Sequence, residues 1–269
     1  PYVGLTTDLK SVVCFPIDSD TTRILVAREG VAGMPAHVYY SDDDGANWTD
    51  VTVGGTHDYG AVYGGALFAL DMNHIWLVTT DGVNGSEMWF SDDGGETWTE
   101  QTLADDTQFY YAVWFADEDL GMVVGAADAV EVTTDGGTTW GAGTATGGGG
   151  DLLCVNENAN GDIWWVGTDD GALYYSDDQG TTWAQRGFPG DDAGAVYDLE
   201  FITPTVGWMV HSPTDATGRL YRTRNGGTTW ELESATVAGE LYSVHACSIN
   251  KAFAVGEVDT TAIVLKSHD

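Results

Sequence analysis

SDDGGETW, residues Ser91 to Trp98, is one of five near-copies of an eight-residue phrase, and the spacing of those copies decides the fold. The others are SDDDGANW (Ser41 to Trp48), TTDGGTTW (Thr133 to Trp140), SDDQGTTW (Ser176 to Trp183) and TRNGGTTW (Thr223 to Trp230), and Ser267-His268-Asp269 opens as a sixth would. From first residue to first residue the intervals are 50, 42, 43, 47 and 44. A period of that size suits four short strands with their turns, the unit of a β-propeller blade. No stretch sustains the 3.6-residue apolar period of a long helix. β-Branched and aromatic runs punctuated by 36 glycines favour strands joined by tight turns.

Between copies the same elements recur in order. The fifth period reads AVYDLEF (Ala195 to Phe201), VGWMVHS (Val206 to Ser212), RLYRTRN (Arg219 to Asn225) and an outer strand from Trp230. Counterparts of its second strand are RILVA (Arg23 to Ala27), HIWLVTT (His74 to Thr80), GMVVGAA (Gly121 to Ala127), DIWWVGT (Asp162 to Thr168) and KAFAVGE (Lys251 to Glu257). Most are apolar on both faces, as strands buried between neighbouring blades should be. The expected fold is all-β, a six-bladed propeller with four antiparallel strands per blade. It is read as one domain, residues 1–269, with blades near 8–55, 56–105, 106–147, 148–190, 191–236 and 237–269. The last blade has three strands of its own, and aligning VAGELYSV (Val237 to Val244) with LTTDLKSV (Leu5 to Val12) makes residues 1–7 its fourth. Such a clasp removes an exposed edge.

Within the phrase, Asp or Asn bonds to following amides, Gly supplies positive φ, and Trp is expected to pin the turn to its blade. The structural pairs are Asp43 and Trp48, Asp93 and Trp98, Asp135 and Trp140, Asp178 and Trp183, and Asn225 and Trp230. The phrase is the Asp box, and the chain resembles the bacterial neuraminidase (BNR) repeat, sialidase-like and sortilin-like propellers. Its second-strand pattern is most similar to propellers related to the photosystem II assembly factor. The resemblance covers nearly the whole chain and implies the fold. Asp boxes occur in glycosidases, receptors, assembly factors and adhesins alike, so it implies no single function.

Charge narrows the partners. Against 42 Asp and Glu stand 9 Lys and Arg, a formal −33 that repels phosphate backbones and anionic headgroups. Nucleic-acid binding and membrane insertion are therefore not expected, and partners should be neutral, cationic or bridged by cations. With 43% hydrophobic residues and 11 Trp the chain is rich enough to fold. Molar salt shrinks the Debye length to about 3 Å and screens the self-repulsion, so the haloarchaeal-type composition reads as that of a high-salt protein. An acidic mesophilic protein relying on bound calcium is the alternative.

Few signatures of chemistry stand out. The six histidines show no metal-ligand spacing, and Cys14, Cys154 and Cys247 are too scattered for a disulfide framework. No cofactor or metal site is expected, although the aspartates at 42–44, 169–170 and 191–192 offer oxygen ligands for Ca²⁺ or Na⁺. A sialidase-like glycosidase is the enzymatic alternative. The resemblance implies for it three arginines gripping a carboxylate, a Tyr nucleophile with its Glu, and an Asp acid. The chain has six arginines, and none lies on an expected innermost strand.

The leading reading is non-catalytic binding of a protein or glycan through the loops opposite the boxes. Its candidate residues are Tyr59, Tyr63, Tyr110, Tyr111, Trp114, Tyr197 and Tyr242, aromatics suited to stacking on sugar rings or anchoring a protein contact. Packing of these rings between blades is the competing explanation. The N-terminal PYVGLTTDLK has neither a basic start nor an apolar core, so no export signal is expected in the chain. A virion or cell-surface component, part of a larger symmetric assembly, fits these features.

Overall fold

The computed structural model describes residues 9–28, 35–54, 65–80, 85–159, 161, 163–189, 193–233, 236–259 and 261–267. The chain is an all-β, six-bladed β-propeller built from four-stranded antiparallel blades. Blade 1 holds β1 (Leu9–Pro16), β2 (Thr22–Arg28), β3 (Ala36–Ser41) and β4 (Thr49–Gly54). Blade 2 holds β5 (Leu67–Asp71), β6 (His74–Thr80), β7 (Ser86–Ser91) and β8 (Thr99–Gln101). Blade 3 holds β9 (Tyr110–Phe115), β10 (Gly121–Gly125), β11 (Val130–Thr133) and β12 (Gly141–Ala142). Blade 4 holds β13 (Leu152–Glu157), β14 (Trp164–Thr168), β15 (Leu173–Ser176) and β16 (Ala184–Gln185). Blade 5 holds β17 (Gly194–Phe201), β18 (Gly207–Pro213), β19 (Thr217–Thr223) and β20 (Glu231–Leu232), with β21 (Val237–Ala238) also pairing to β19. Blade 6 shows β22 (Glu240–Ser248), β23 (Lys251–Val258) and β24 (Thr261–Lys266) among the described residues. The fourth strand expected from residues 1–7 lies outside them.

The chain forms two compact units, Pro1–Ala126 with Val130–Ala142, and Ala127–Ala129 with Gly143–Asp269. In the first unit β6 and β10 are buried on both faces, and in the second β14 and β18 are, as the doubly apolar second strands require. The fourth strands of blades 2 to 5 are two or three residues long and largely exposed, whereas β4 runs six residues and buries Val53.

Each unit contains the same aromatic stack. In the first, Trp76 on β6 stacks on Phe115 at the end of β9, and Phe115 meets the box Trp140 edge-on at 5.9 Å. In the second, Trp165 on β14 stacks on Phe201 at the end of β17, and Phe201 meets Trp230 edge-on at 5.9 Å. Across the first hairpin, Phe115 pairs with Gly121 and Phe201 with Gly207. A Cβ on either glycine would fall 2.4 Å or 2.7 Å from the facing ring, so the missing side chain is what lets each Phe lie flat.

The stack divides the box tryptophans into two classes. Trp140 and Trp230 are 7% and 2% exposed, roofed by their Phe. In the other blades the Phe position is Cys14, Ala69 or Glu157, and it faces Ile24, Ile75 or Trp164 instead of Gly. Trp48, Trp98 and Trp183 accordingly stay half-buried, and each indole N–H donates to a carbonyl, of Gly45, Gly95 and Thr144 at 3.0, 3.1 and 2.8 Å. Trp was expected to pin each turn to its blade, and the packing differs between boxes. It depends on whether an F-x5-G hairpin precedes the box.

The box aspartates behave alike. Asp135 accepts the Thr139 amide at 2.8 Å, the Thr139 hydroxyl at 2.7 Å and the Thr133 hydroxyl at 2.9 Å. Asp43, Asp93 and Asp178 repeat the pattern with Asn47, Thr97 and Thr182. Asn225 keeps it by accepting the Thr229 amide at 2.9 Å and donating to the Thr229 hydroxyl at 2.9 Å. Box glycines also rest on their own blade's first hairpin turn: Gly94, Gly136 and Gly226 donate N–H to the carbonyls of Met72, Asp119 and Thr205 at 2.8, 3.0 and 2.9 Å.

Candidate functional site

Antiparallel order puts the first-to-second and third-to-fourth turns at one end of each blade. The second-to-third turns and the starts of the first strands lie at the other. Boxes occupy the former end and the starts of the first strands the latter, so Trp114, expected opposite the boxes, lies instead toward the box end of β9 as the fifth of its six residues.

Within the first unit, Tyr110, expected among the recognition aromatics, is instead buried at 2% exposure. Its hydroxyl donates to Glu131 Oε1 at 2.8 Å and its amide to Ser86 Oγ at 2.8 Å. Burial and then the Glu131 carboxylate raise its pKa, so the phenol stays protonated. Glu131 also accepts the Ala104 and Asp105 amides at 2.8 and 2.7 Å, so this carboxylate and Tyr110 together hold the connection into blade 3. Trp114 is half-buried with its ring 4.5 Å from that of Phe68 on β5, the inter-blade packing that competes with a ligand role. Tyr111 is half-buried. Tyr59 and Tyr63 lie outside the described residues.

In the second unit Tyr197 and Tyr242 do come together. They lie in the first halves of the first strands of consecutive blades, β17 and β22, and their rings meet edge to face with centroids 5.2 Å apart and planes at 80°. Tyr242 is 38% exposed and donates its hydroxyl to Glu257 Oε1 at 3.1 Å. Burial raises the pKa of both phenols, and the charge and hydrogen bonding of Glu240 add to it. A register shift between Val196 and Asp198 places Tyr197 at a bulge, which re-aims its ring relative to the regular alternation.

Deeper along the same strands, carboxylates tie blade to blade. Asp198 Oδ2 accepts the Val244 amide at 3.0 Å and the Ser243 hydroxyl at 2.8 Å. Glu200 Oε2 accepts the Ala246 amide at 2.7 Å and lies 3.4 Å from His245 Nδ1. Asn156 Oδ1 does the equivalent on β13, accepting the Phe201 amide at 3.4 Å. Desolvation pushes Asp198 up to about 7, against the Val244 and Ser243 donors, and raises Glu200 against the Ala246 amide. Neither carboxylate was singled out from sequence. The signal was present as an acid alternating with apolar residues on an inner strand, but its partners lie one whole repeat away.

The arginines lie elsewhere. Arg23 on β2 grips Asp42 through Nε and Nη2 at 2.7 Å each and reaches the Gly94 carbonyl and Glu96 at 3.1 Å. Arg222 on β19 bonds Asn250 at 2.7 Å and the Ile249 carbonyl, with its guanidinium 4.7 Å from the Trp208 ring centre. Arg219 and Arg224 pair with Asp215 and Glu231, and Arg186 lies over Tyr175. Arg28 ends the second strand of blade 1, and Arg219 stands on the third strand of blade 5. None of the six stands on a first strand.

The BNR/Asp-box repeat family matches the chain at residues 89–100 and 174–185. No curated protein matches it. Among solved structures, YCF48 bound to D1 peptide is similar with a TM-score of 0.57 and 17% identity, covering 98% of this chain and 94% of that one. YCF48 from Cyanidioschyzon merolae gives 0.65 and 16%, covering 99% and 97%. The GH74 enzyme from Niastella koreensis gives 0.69 and 14%, covering 92% of this chain but 44% of that one. The chain thus spans nearly the full length of YCF48 and under half of that GH74 enzyme. At these identities the likeness is one of fold.

Proposed function

We propose that this propeller with BNR/Asp-box repeats is a non-catalytic recognition module that binds a protein through the end of its blades opposite the boxes. The observation that carries the reading is the Tyr197–Tyr242 pair, an aromatic corner held on two rigid strands with one ring open to solvent. The full-length likeness to a propeller solved with a peptide bound supports it. A glycan partner fits stacking on Tyr242 less well, because the pair is rimmed by carboxylates with few donors to offer sugar hydroxyls. The −33 charge supports a high-salt setting, and we place the module at a virion or cell surface there.

A glycoside hydrolase is the second reading. Asp198 at about 7 beside Glu200 is the observation that favours it, since a carboxylic acid kept protonated near neutrality can serve as a general acid. The sialidase form of that reading lacks arginines on first strands.

A photo-crosslinking amino acid placed at position 242, against one at the exposed box residue Thr181, tests the proposal in an extract of the source organism at about molar salt. A protein adduct formed at 242 alone is expected. Turnover of a fluorogenic glycoside that Asp198→Asn or Glu200→Gln abolishes, with no adduct, overturns the proposal.

A further inference from the structure

We infer that Tyr197 and Tyr242, with Glu240, Glu257 and Asp169 around them, seat a lysine or arginine side chain from a basic segment of a partner protein. The inference rests on the protein-recognition reading and specifies the chemistry of the partner. Two rings set edge to face at 80° make a corner, and a cation is drawn by the ring quadrupole to the aromatic face that the partner's edge leaves open. The corner is fixed before any ligand arrives. Tyr242 is tied to Glu257 at 3.1 Å and braced by Tyr197, and both rings project from paired strands.

The surrounding charge selects what enters. Glu240 acts on both phenols, Glu257 on Tyr242 and Asp169 on Tyr197. None of these three carboxylates forms an ion pair with Lys, Arg or His among the described residues, whereas Glu231, Glu233 and Asp215 of the same unit all do. Among the described residues Asp169 accepts the Asp151 amide at 2.9 Å. Two phenols held as neutral donors and three uncompensated acids favour a cation over a neutral sugar and exclude an anionic one. At low salt a −33 surface would also attract a basic segment from a distance, and in high salt only the contact at the corner remains.

Long-range attraction and a built corner are separable by salt. At about 1 M the Debye length is about 3 Å, so diffuse attraction is screened and contact over the rings persists. The test is anisotropy of a labelled lysine decapeptide binding to the full chain at about 1 M salt. Tyr242→Ala and Tyr197→Ala should each weaken binding by about threefold to tenfold. Tyr242→Phe, which keeps the ring, should stay near wild type. The pair Glu240→Gln with Glu257→Gln should weaken binding, while the charge-matched pair Glu100→Gln with Asp177→Asn, both at exposed positions, should not. The fully acetylated peptide should fail to bind. Should Tyr242→Ala not fold, Tyr242→Leu removes the π-face and keeps the bulk.

Equal losses from the two charge-matched pairs, full binding by the tyrosine variants, or binding of the acetylated peptide overturns the inference. So does spermine binding as tightly as the peptide through the same residues, since the ligand would then be a free polyamine. A cross-linked partner at position 242 without lysine-peptide binding removes this inference and leaves the recognition reading standing. Peptide binding through these residues without a cross-linked partner does the reverse.

Discussion

Trp76 of the second blade lies face to face with Phe115 of the third, ring centroids 3.6 Å apart and planes 11° from parallel. The contact exists because Gly121 leaves the floor beneath Phe115 open. Gly121→Ala should therefore cost about 1–3 kcal/mol by overpacking and loosen the lid over Trp140. Gly147→Ala, where a Cβ meets nothing within 4 Å, carries only the strain of its φ of +85°. Denaturant titration followed by tryptophan emission should show the larger loss and a red shift for the first variant alone.

The Asn225 box shows that an uncharged amide can fill the central place of a box and keep both contacts to the Thr four residues on. Asp93→Asn should keep the Thr97 amide and hydroxyl bonds and unfold close to wild type, whereas Asp93→Ala leaves those donors unmatched and costs about 1 kcal/mol. Equal melting temperatures for the two variants would count against this role.

Two sets of carboxylates should shape the pH profile in opposite directions. The Asn47 side chain and amide hold Asp43 below its ordinary pKa of 3.8, and Thr139 and Thr182 do the same for Asp135 and Asp178. Their contribution is present above the unfolded pKa and is lost as pH falls through the depressed folded values. Asp198 runs the other way: with a folded pKa of about 7 against 3.8, the native state binds the extra proton, and stability falls as pH rises between those values. Melting temperature against pH should drop on the acid side, and Asp198→Asn should flatten the decline from about pH 4 to 7. A decline unchanged in Asp198→Asn would assign it to other groups, Glu200 first.

With −33 spread over 269 residues, melting temperature should rise steeply between about 0.1 and 3 M salt as self-repulsion is screened. A flat curve over that range would contradict the high-salt reading.

The blades were legible because their signals are local. His74–Thr80 is a strand over the bounds read from its apolar run, and the five boxes close as the Asp, Gly and Thr positions dictate. What stayed hidden depends on strand register and on partners one repeat away. By register Tyr110, opposite Gly125, corresponds to Leu241, opposite Gly256, and Tyr242 falls one residue later, so Tyr110 turns inward to Glu131 while Tyr242 faces solvent beside Glu257. Asp198 looks like one acid among 42 until the Val244 amide is brought to it from 46 residues away. The two classes of box tryptophan were readable in principle, from Phe115 and Gly121, and from Phe201 and Gly207.

An amide at the heart of the fifth box makes this turn portable between solvents. Exchanging Asp43, Asp93, Asp135 and Asp178 for asparagine would lift negative charge from successive repeats without redrawing a loop, following a substitution the chain already carries at Asn225. The charge of the chain can therefore vary at these four positions while the turns they close stay the same.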